Sequence, residues 1–163
     1  MKIGIISDTH DHHANIFSAV ELFGTKEVKY IIHSGDIVSS YAVGAFAGVA
    51  GAKLIATFGN CDTDKEQLKE TVEENGGQIN ADPYEGNVAG KKLFLTHRPS
   101  LAKKAADSGK YDLVIYGHTH IQDIHFKGDT LVINPGEASD WKTGQGGVVI
   151  LETDDMTWQI EKL

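Results

Sequence analysis

Lys2-Ile3-Gly4-Ile5-Ile6-Ser7-Asp8-Thr9-His10 is the stretch whose reading decides the fold. Its β-branched run at 3–6 is continuous rather than alternating, as in a strand covered on both faces. The run ends directly on Asp8 and His10, two side chains able to bind metal. The same arrangement recurs along the chain. Tyr30-Ile31-Ile32-His33 leads into Ser34-Gly35-Asp36, and Lys53-Leu54-Ile55-Ala56-Thr57 into Gly59-Asn60-Cys61-Asp62. Later apolar runs lead into His97 and into Gly117-His118-Thr119-His120. In open α/β sheets ligands gather in the crevice at the carboxyl ends of parallel strands. Five separate loops are therefore expected to converge on one place.

Between these strands the pattern turns helical. Apolar residues at Ile16, Ala19, Val20 and Phe23 give a helix over 15–23, stopped by Gly24. A helix rich in small residues is expected over 41–50, and a charged one over 65–75 before Gly76-Gly77. The second half changes character. Segments 85–88 and 91–96 form a hairpin turning at Ala89-Gly90. An alanine-rich helix follows over 100–108, with Ser100 as N-cap and Gly109 beyond its end. A short buried strand covers 113–116, and further strands cover 121–126, 130–134, 147–152 and 157–162. Parallel β-α units thus lead into a more antiparallel region. The expectation is an α/β architecture of two packed sheets with helices outside, in a single domain spanning 1–163.

Seven side chains stand out as metal ligands: Asp8, His10, Asp36, Asn60, His97, His118 and His120. Imidazole with carboxylate suits Mn, Fe, Zn, Co or Ni, and the lone Cys61 argues against a structural zinc cluster. A carboxylate such as Asp36 can bridge two ions. Two ions roughly 3.5–4 Å apart activate water for in-line attack on phosphorus. Gly35, Gly59 and Gly117 spare the site side chains where the backbone turns beside it. The remaining histidines, His12, His13, His33 and His125, match no ligand position, and His33 is expected to support the Asp36 region from behind. Asp62 is expected to anchor the Asn60 loop by hydrogen bonds. Asn134-Pro135-Gly136 reads as a tight turn near the site, with Glu137 as a neighbour.

Composition sets outer bounds. A chain of 163 residues supports one domain with a full core. No apolar run approaches the ~20 residues of a membrane helix, and the chain opens on a strand rather than on a signal peptide. One cysteine makes no internal disulfide, which points to a reducing cytoplasm. The formal charge of −8 offers no general attraction to a nucleic acid polymer or to anionic lipid. A small phosphoester is the expected substrate.

The ordered pattern Asp-x-His, Gly-Asp, Gly-Asn, His, Gly-His-x-His resembles the calcineurin-like metallophosphoesterases and covers nearly the whole chain. The opening Met1 to His10 and the late Val132-Ile133-Asn134-Pro135-Gly136 are most similar to the small YfcE-type phosphodiesterases. The resemblance implies a four-layer α-β-β-α sandwich. It implies that Asp8, His10 and His120 hold one divalent ion and that Asn60, His97 and His118 hold a second, with Asp36 between them. Manganese is the first expectation for both, ahead of nickel, cobalt, iron or zinc. Asp36, Asn60 and His118 then carry the chemistry, Asp36 by generating the nucleophile and the other two by placing substrate oxygens. Relatives of this type often self-associate, so a homo-oligomer is a further expectation.

Two positions depart from the broad family. Cys61 stands where many members carry a histidine that protonates the leaving group, and a thiol is a poor substitute at neutral pH. Arg98 follows His97 where glycine is frequent; it either contacts a substrate phosphate with its planar fork or points into solvent. Two other functions share the fold: a phosphomonoesterase or nucleotidase using the same site, and a non-catalytic interaction scaffold of the retromer-subunit type. Retention of all seven ligands speaks against the scaffold.

Overall fold

The computed structural model describes residues 1–163. In chain order the elements are β1 (Lys2–Ile6), α1 (His13–Thr25), β2 (Tyr30–His33), α2 (Ser40–Ala47), β3 (Lys53–Thr57), α3 (Lys65–Glu74) and β4 (Gln78–Asn80). Then follow β5 (Tyr84–Val88), β6 (Lys91–Leu95), α4 (Pro99–Ser108), β7 (Leu113–Ile115), β8 (Asp123–Lys127), β9 (Thr130–Asn134), β10 (Gly147–Glu152) and β11 (Thr157–Lys162). One sheet runs β11-β10-β1-β2-β3-β4 and the other β5-β6-β7-β9-β8. Strands β1 to β4 pair in parallel, as do β6, β7 and β9. The antiparallel pairings lie outside these blocks.

The two-residue period of the strands sorts their side chains into three cores. Ile3, Ile5, Ile32, Ile55, Leu93, Leu95, Leu113, Ile115, Leu131, Ile133, Val149 and Leu151 fill the space between the sheets. The residues between them face outward: Ile6, Ile31, Leu54, Ala56, Val148 and Ile150 pack with Ile16, Ala19 and Phe23 of α1, and with apolar residues of α2 and α3. On the other sheet Phe94, Val114 and Val132 meet Ala102, Ala105 and Ala106 of α4. Three cores separate four layers, α-β-β-α. The runs that read as continuous apolar segments do so because both faces of each strand are buried.

Several local expectations shift. Helix α1 passes through Gly24 and ends at Thr25, capped at its start by His12, whose Nδ1 accepts the N–H of Asn15. Helix α4 begins at Pro99, so Ser100 lies inside it rather than capping it. Proline suits that first position because its missing N–H would have no intrahelical partner there. Gly109 takes the left-handed conformation (φ 63°) beyond its end, as expected. Strand β4 carries no strand pattern in its sequence, because Gln78-Ile79-Asn80 is short and mostly polar. The larger difference is topological. The second sheet keeps a parallel centre, and β10 and β11 return to the first sheet beside β1. That return depends on which edge is free, a property no local pattern encodes.

Gly4 sits at the tightest point of the β1–α1 contact, where an added Cβ would lie 2.6 Å from the Phe23 ring. Gly4→Ala is expected to destabilise the fold by about 1–3 kcal/mol through overpacking, read as a lower urea midpoint at unchanged slope. Adding Phe23→Leu should recover part of the loss. An unshifted midpoint for the single variant would mean that the ring moves aside freely.

Candidate metal centre

The carboxyl ends of the parallel strands in both sheets open on the same edge, and all seven expected ligands meet there. The loop after β1 is tied to the loop after β2, with Asp8 N–H donating to Gly35 O (3.1 Å) and His10 N–H to Asp36 O (3.2 Å). The loop after β7 joins them through His118 N–H, which donates to Asp8 Oδ2 at 3.1 Å. Asp8, His10 and His120 form one set, with Asp8 Oδ1 3.9 Å from His10 Nε2 and 3.4 Å from His120 Nε2. Asn60, His97 and His118 form the other. Asn60 Oδ1 lies 3.0 Å from His97 Nε2 and 2.9 Å from His118 Nδ1. Asp36 Oδ2 stands between the sets, 3.6 Å from His10 Nε2 and 3.4 Å from His97 Nε2.

Four of the ligands are turned inward by a partner on their far side. His97 donates Nδ1–H to Ser34 O (2.8 Å), which leaves the Nε2 lone pair facing the cluster. His120 donates Nδ1–H to Glu137 Oε2 at 2.6 Å. Asn60 donates its amide to Cys61 Sγ, so its oxygen faces the two imidazoles. Asp36 Oδ1 accepts the N–H of Cys61 at 2.7 Å, freeing Oδ2 for the centre. Asp62 holds the loops themselves. Its Oδ2 accepts from Asp36 N and Gly59 N, and its Oδ1 from Val38 N. Asn134 bonds Gly117 O and Thr119 Oγ1 through its amide, and Gly136 N–H through its oxygen.

The backbone is strained where the ligands sit. Asp8 (φ 51°), His10 (φ 42°), Asp36 (φ 57°), His118 (φ 73°) and His120 (φ 64°) all lie in the left-handed region. Non-glycine residues adopt it rarely, and such conformations persist only where the surroundings enforce them. Close approach also fixes two glycines: a Cβ at Gly59 would collide with Asp36, and one at Gly117 with Ser7 Oγ.

The electrostatics call for a cation. Asp8 and Asp36 are 0 % and 2 % exposed, and their only charged partners are histidines. Burial pushes the Asp8 carboxyl above its ordinary pKa, against the pull of Ser7, His97 and His120. Burial also works to raise Asp36, but hydrogen bonds from His97 and the Cys61 amide outweigh it and hold Asp36 well below the usual range. Burial opposes charge on His97, yet Asp36 and Asp8 raise its pKa. Asp8 Oδ1 and His10 Nε2 are buried with no hydrogen-bond partner. Buried polar atoms are almost always satisfied, and a divalent ion among these oxygen and nitrogen lone pairs would satisfy both. The donor set therefore fits divalent metal.

Other side chains fall outside the cluster. His12 caps α1, His13 packs at a tilt against exposed Tyr41 with ring centroids 4.3 Å apart, and His125 pairs with Asp123 on β8, an edge strand of the second sheet. Arg98 turns its fork to Asp82, with Nε donating to Oδ2 at 2.7 Å and Nη2 to the Asp82 carbonyl at 2.9 Å. It thereby borders an open cleft of about 650 Å³ with Phe58, Lys65 and His118. Glu137 matters more than its sequence context suggested. It is buried, it orients His120, and its Oε1 accepts the N–H groups of Lys142 and Thr143. Burial opposes its ionisation, but these bonds bring its pKa down to about 2. The available signal was a lone carboxylate in the small-residue stretch Pro135-Gly136-Glu137-Ala138-Ser139. Asp82 had no such signal, although its Oδ1 accepts from Thr96 Oγ1 and His97 N–H.

Against this geometry, a family model described as the calcineurin-like phosphoesterase superfamily domain matches residues 1–156. The chain is 43% identical over 157 residues to Phosphodiesterase MJ0936 of Methanocaldococcus jannaschii, an alignment covering 94% of each chain. It is 26% identical over 157 residues to Phosphodiesterase YfcE of Escherichia coli K12, covering 88% of this chain and 83% of that one. A solved structure described as a novel archaeal phosphodiesterase superposes with a TM-score of 0.94 at 40% identity, covering both chains completely.

His33 lies directly behind the cluster. Gly35 N–H donates to its Nδ1, and its Nε2 meets Thr9 Oγ1 at 3.1 Å. Burial pushes this imidazole down from 6.5 to about 3, so it is neutral in the folded chain. Between those values the unfolded chain binds the extra proton. The contribution to stability is therefore complete above pH 6.5 and is lost as pH falls towards 3. Metal-free wild-type protein is expected to lose stability more steeply across that window than His33→Gln, by urea titration at a series of pH values. Equal slopes would assign the acid sensitivity to other groups.

Proposed function

This chain belongs to the calcineurin-like phosphoesterase superfamily, and from that premise we propose that it is a metal-dependent phosphodiesterase acting on small esters through a dinuclear site. The observation that carries the reading is Asp36 Oδ2, set between two groups of inward-facing donors. Asp8, His10 and His120 would hold one divalent ion and Asn60, His97 and His118 the other, with Asp36 serving both. Such ions supply positive charge to phosphoryl oxygens and lower the pKa of water towards neutrality. Manganese is our first choice, ahead of nickel, cobalt, iron or zinc, and a mixed imidazole, carboxylate and amide set accommodates each of them. The identity to a relative named a phosphodiesterase supports a diester over a monoester. The complete donor set speaks against a scaffold role.

The chain's own residues have three tasks in this reaction. Asp36 fixes the direction of attack, because Cys61 N–H and Asp62 lock its carboxylate and backbone. Asn60 and His118 lie on the open side of the cluster, where they position phosphoryl oxygens. Glu137 keeps the His120 ring in register and ionised itself, which strengthens the ring as a donor.

The rest of the reading concerns context. The two sheets share one core, which supports a single functional domain. The lone free cysteine suits a reducing cytoplasm, and no helix is long and apolar enough to cross a membrane. Exposed Phe126 and Ile160 on β8 and β11 give self-association a surface.

Chelation is expected to abolish diester hydrolysis and to lower the melting temperature, and Mn, Ni or Co should restore both. A panel of mono- and diesters with parallel elemental analysis measures this. Full activity in a verified metal-free sample would falsify the dinuclear mechanism.

Proton supply to the leaving group gives a second test. Burial and the neighbouring Asp36 push the Cys61 thiol up to about 11, which makes it a feeble acid. His12 and His13 are engaged elsewhere. A positioned acid typically contributes ~10²–10⁴-fold, so the rate should fall steeply as leaving-group pKa rises. Aryl diesters are expected to react much faster than alkyl ones, Cys61→Ser should change little, and Cys61→His should help the poor leaving groups. A flat wild-type series would reveal another proton donor or a different slow step.

A further inference from the structure

Trp141 is 65 % exposed, and of the exposed large apolar side chains it is the one that stacks on a residue of the donor cluster. Its indole lies on the His10 imidazole with ring centroids 5.3 Å apart and planes at 24°, and His10 in turn lies on His120 at 5.3 Å and 25°. A stack of three flat rings thus begins within the donor cluster and ends at the surface. A side chain whose task was to seal His10 would bury itself in doing so. This one leaves most of its area to solvent, which costs hydrophobic free energy.

The loop that carries it is held rigidly. Ala138 N–H donates to Ser7 O (2.9 Å) and Ser139 N–H to Asp8 O (3.2 Å) on one side of Trp141. On the other side Glu137 Oε1 accepts the N–H of Lys142 (2.9 Å) and of Thr143 (2.6 Å). Gly144 N–H closes the turn on Asp140 O at 2.8 Å. The anchors are the groups that also hold Asp8 and His120, so the indole keeps a fixed register with the donor cluster. A flat aromatic surface held this way binds a partner ring with little further ordering cost.

We propose that Trp141 determines specificity by stacking an aromatic ester arm, so that the preferred substrates are phosphoesters bearing a nucleobase or an aryl group. The proposal rests on the phosphoesterase reading of the site and adds a substrate class to it. Because His10 is one of the donors and Trp141 stacks on it, a phosphate held by the cluster would lie one ring away from the exposed indole face. Stacking accepts any flat ring because every base has a π-face. With a chain charge of −8, recognition through a ring suits a small ester better than attraction of a polyanion does.

The test compares adenosine 5′-monophosphate with ribose 5-phosphate as inhibitors of bis-p-nitrophenyl phosphate hydrolysis by the manganese-loaded enzyme. Both carry the same phosphate and sugar, and only one carries a base. In the wild type the nucleotide is expected to bind about 5- to 150-fold more tightly, the range that base–aromatic stacking gives on alanine substitution. Trp141→Ala should bring the ratio of the two inhibition constants close to one, and Trp141→Phe should keep part of it. Using the ratio cancels any change in phosphate affinity or metal occupancy. Equal constants in the wild type, or an unchanged ratio in Trp141→Ala, would overturn the stacking role while hydrolysis itself left the phosphoesterase reading standing. Absence of hydrolysis by the manganese-loaded wild type would overturn that reading and the substrate class with it.

Discussion

Two buried carboxylates, Asp8 and Asp36, face each other's histidines with no lysine or arginine in reach. Burying a charge is tolerated only when it is paired, hydrogen-bonded or bound to metal. The chain supplies part of the compensation through Ser7, the amides of Cys61 and His118, and the rings of His97 and His120. It stops short of completing it, since Asp8 Oδ1 and His10 Nε2 keep no partner. That deficit is what a divalent ion would complete, and it sets this edge of the fold apart from an internal ion-pair network.

The fold serves that deficit by stiffness. Seven donors from five loops can converge without collapsing onto one another only if the loops hold conformations they would otherwise avoid. Positive φ at Asp8, His10, Asp36, His118 and His120 is such a conformation, and each lies in a loop that follows a largely buried strand. The strain is carried by the inter-sheet core beneath and by the hydrogen bonds of Asp62, Asn134 and Glu137 around it. These three buried side chains hold the loops and, in the case of Glu137, the His120 ring.

Glu137 links two properties of the site. One carboxylate oxygen orients the His120 imidazole of the donor cluster, and the other gathers the amides of the loop bearing Trp141. The ring that reaches solvent and the ring that reaches the centre are therefore positioned by one buried charge. Beside Asn60, His97 and His118 the Arg98–Asp82 pair, Lys65 and Phe58 border an open cleft of different character, in which charged groups accompany an aromatic ring. The two arms of an ester bound at the centre would meet different surfaces.

Much of this was legible in the sequence because strand burial and ligand chemistry are local properties. The apolar runs at 3–6, 30–33, 53–57 and 113–116 read as buried strands because both faces of each are covered. Asp8, His10, Asp36, Asn60, His97, His118 and His120 could be named because residue type and position after a strand survive without coordinates. The helix ends differ from the local signals at Gly24, which α1 passes through, and at Ser100, because Pro99 takes the first helical position ahead of it. What only the tertiary structure decided was adjacency. That β10 and β11 close the first sheet beside β1, that Glu137 stands behind His120, that Asp82 grips His97, and that Trp141 lies on His10 are relations between distant segments. They arise from closing three cores at once, and no stretch of chain carries that information by itself.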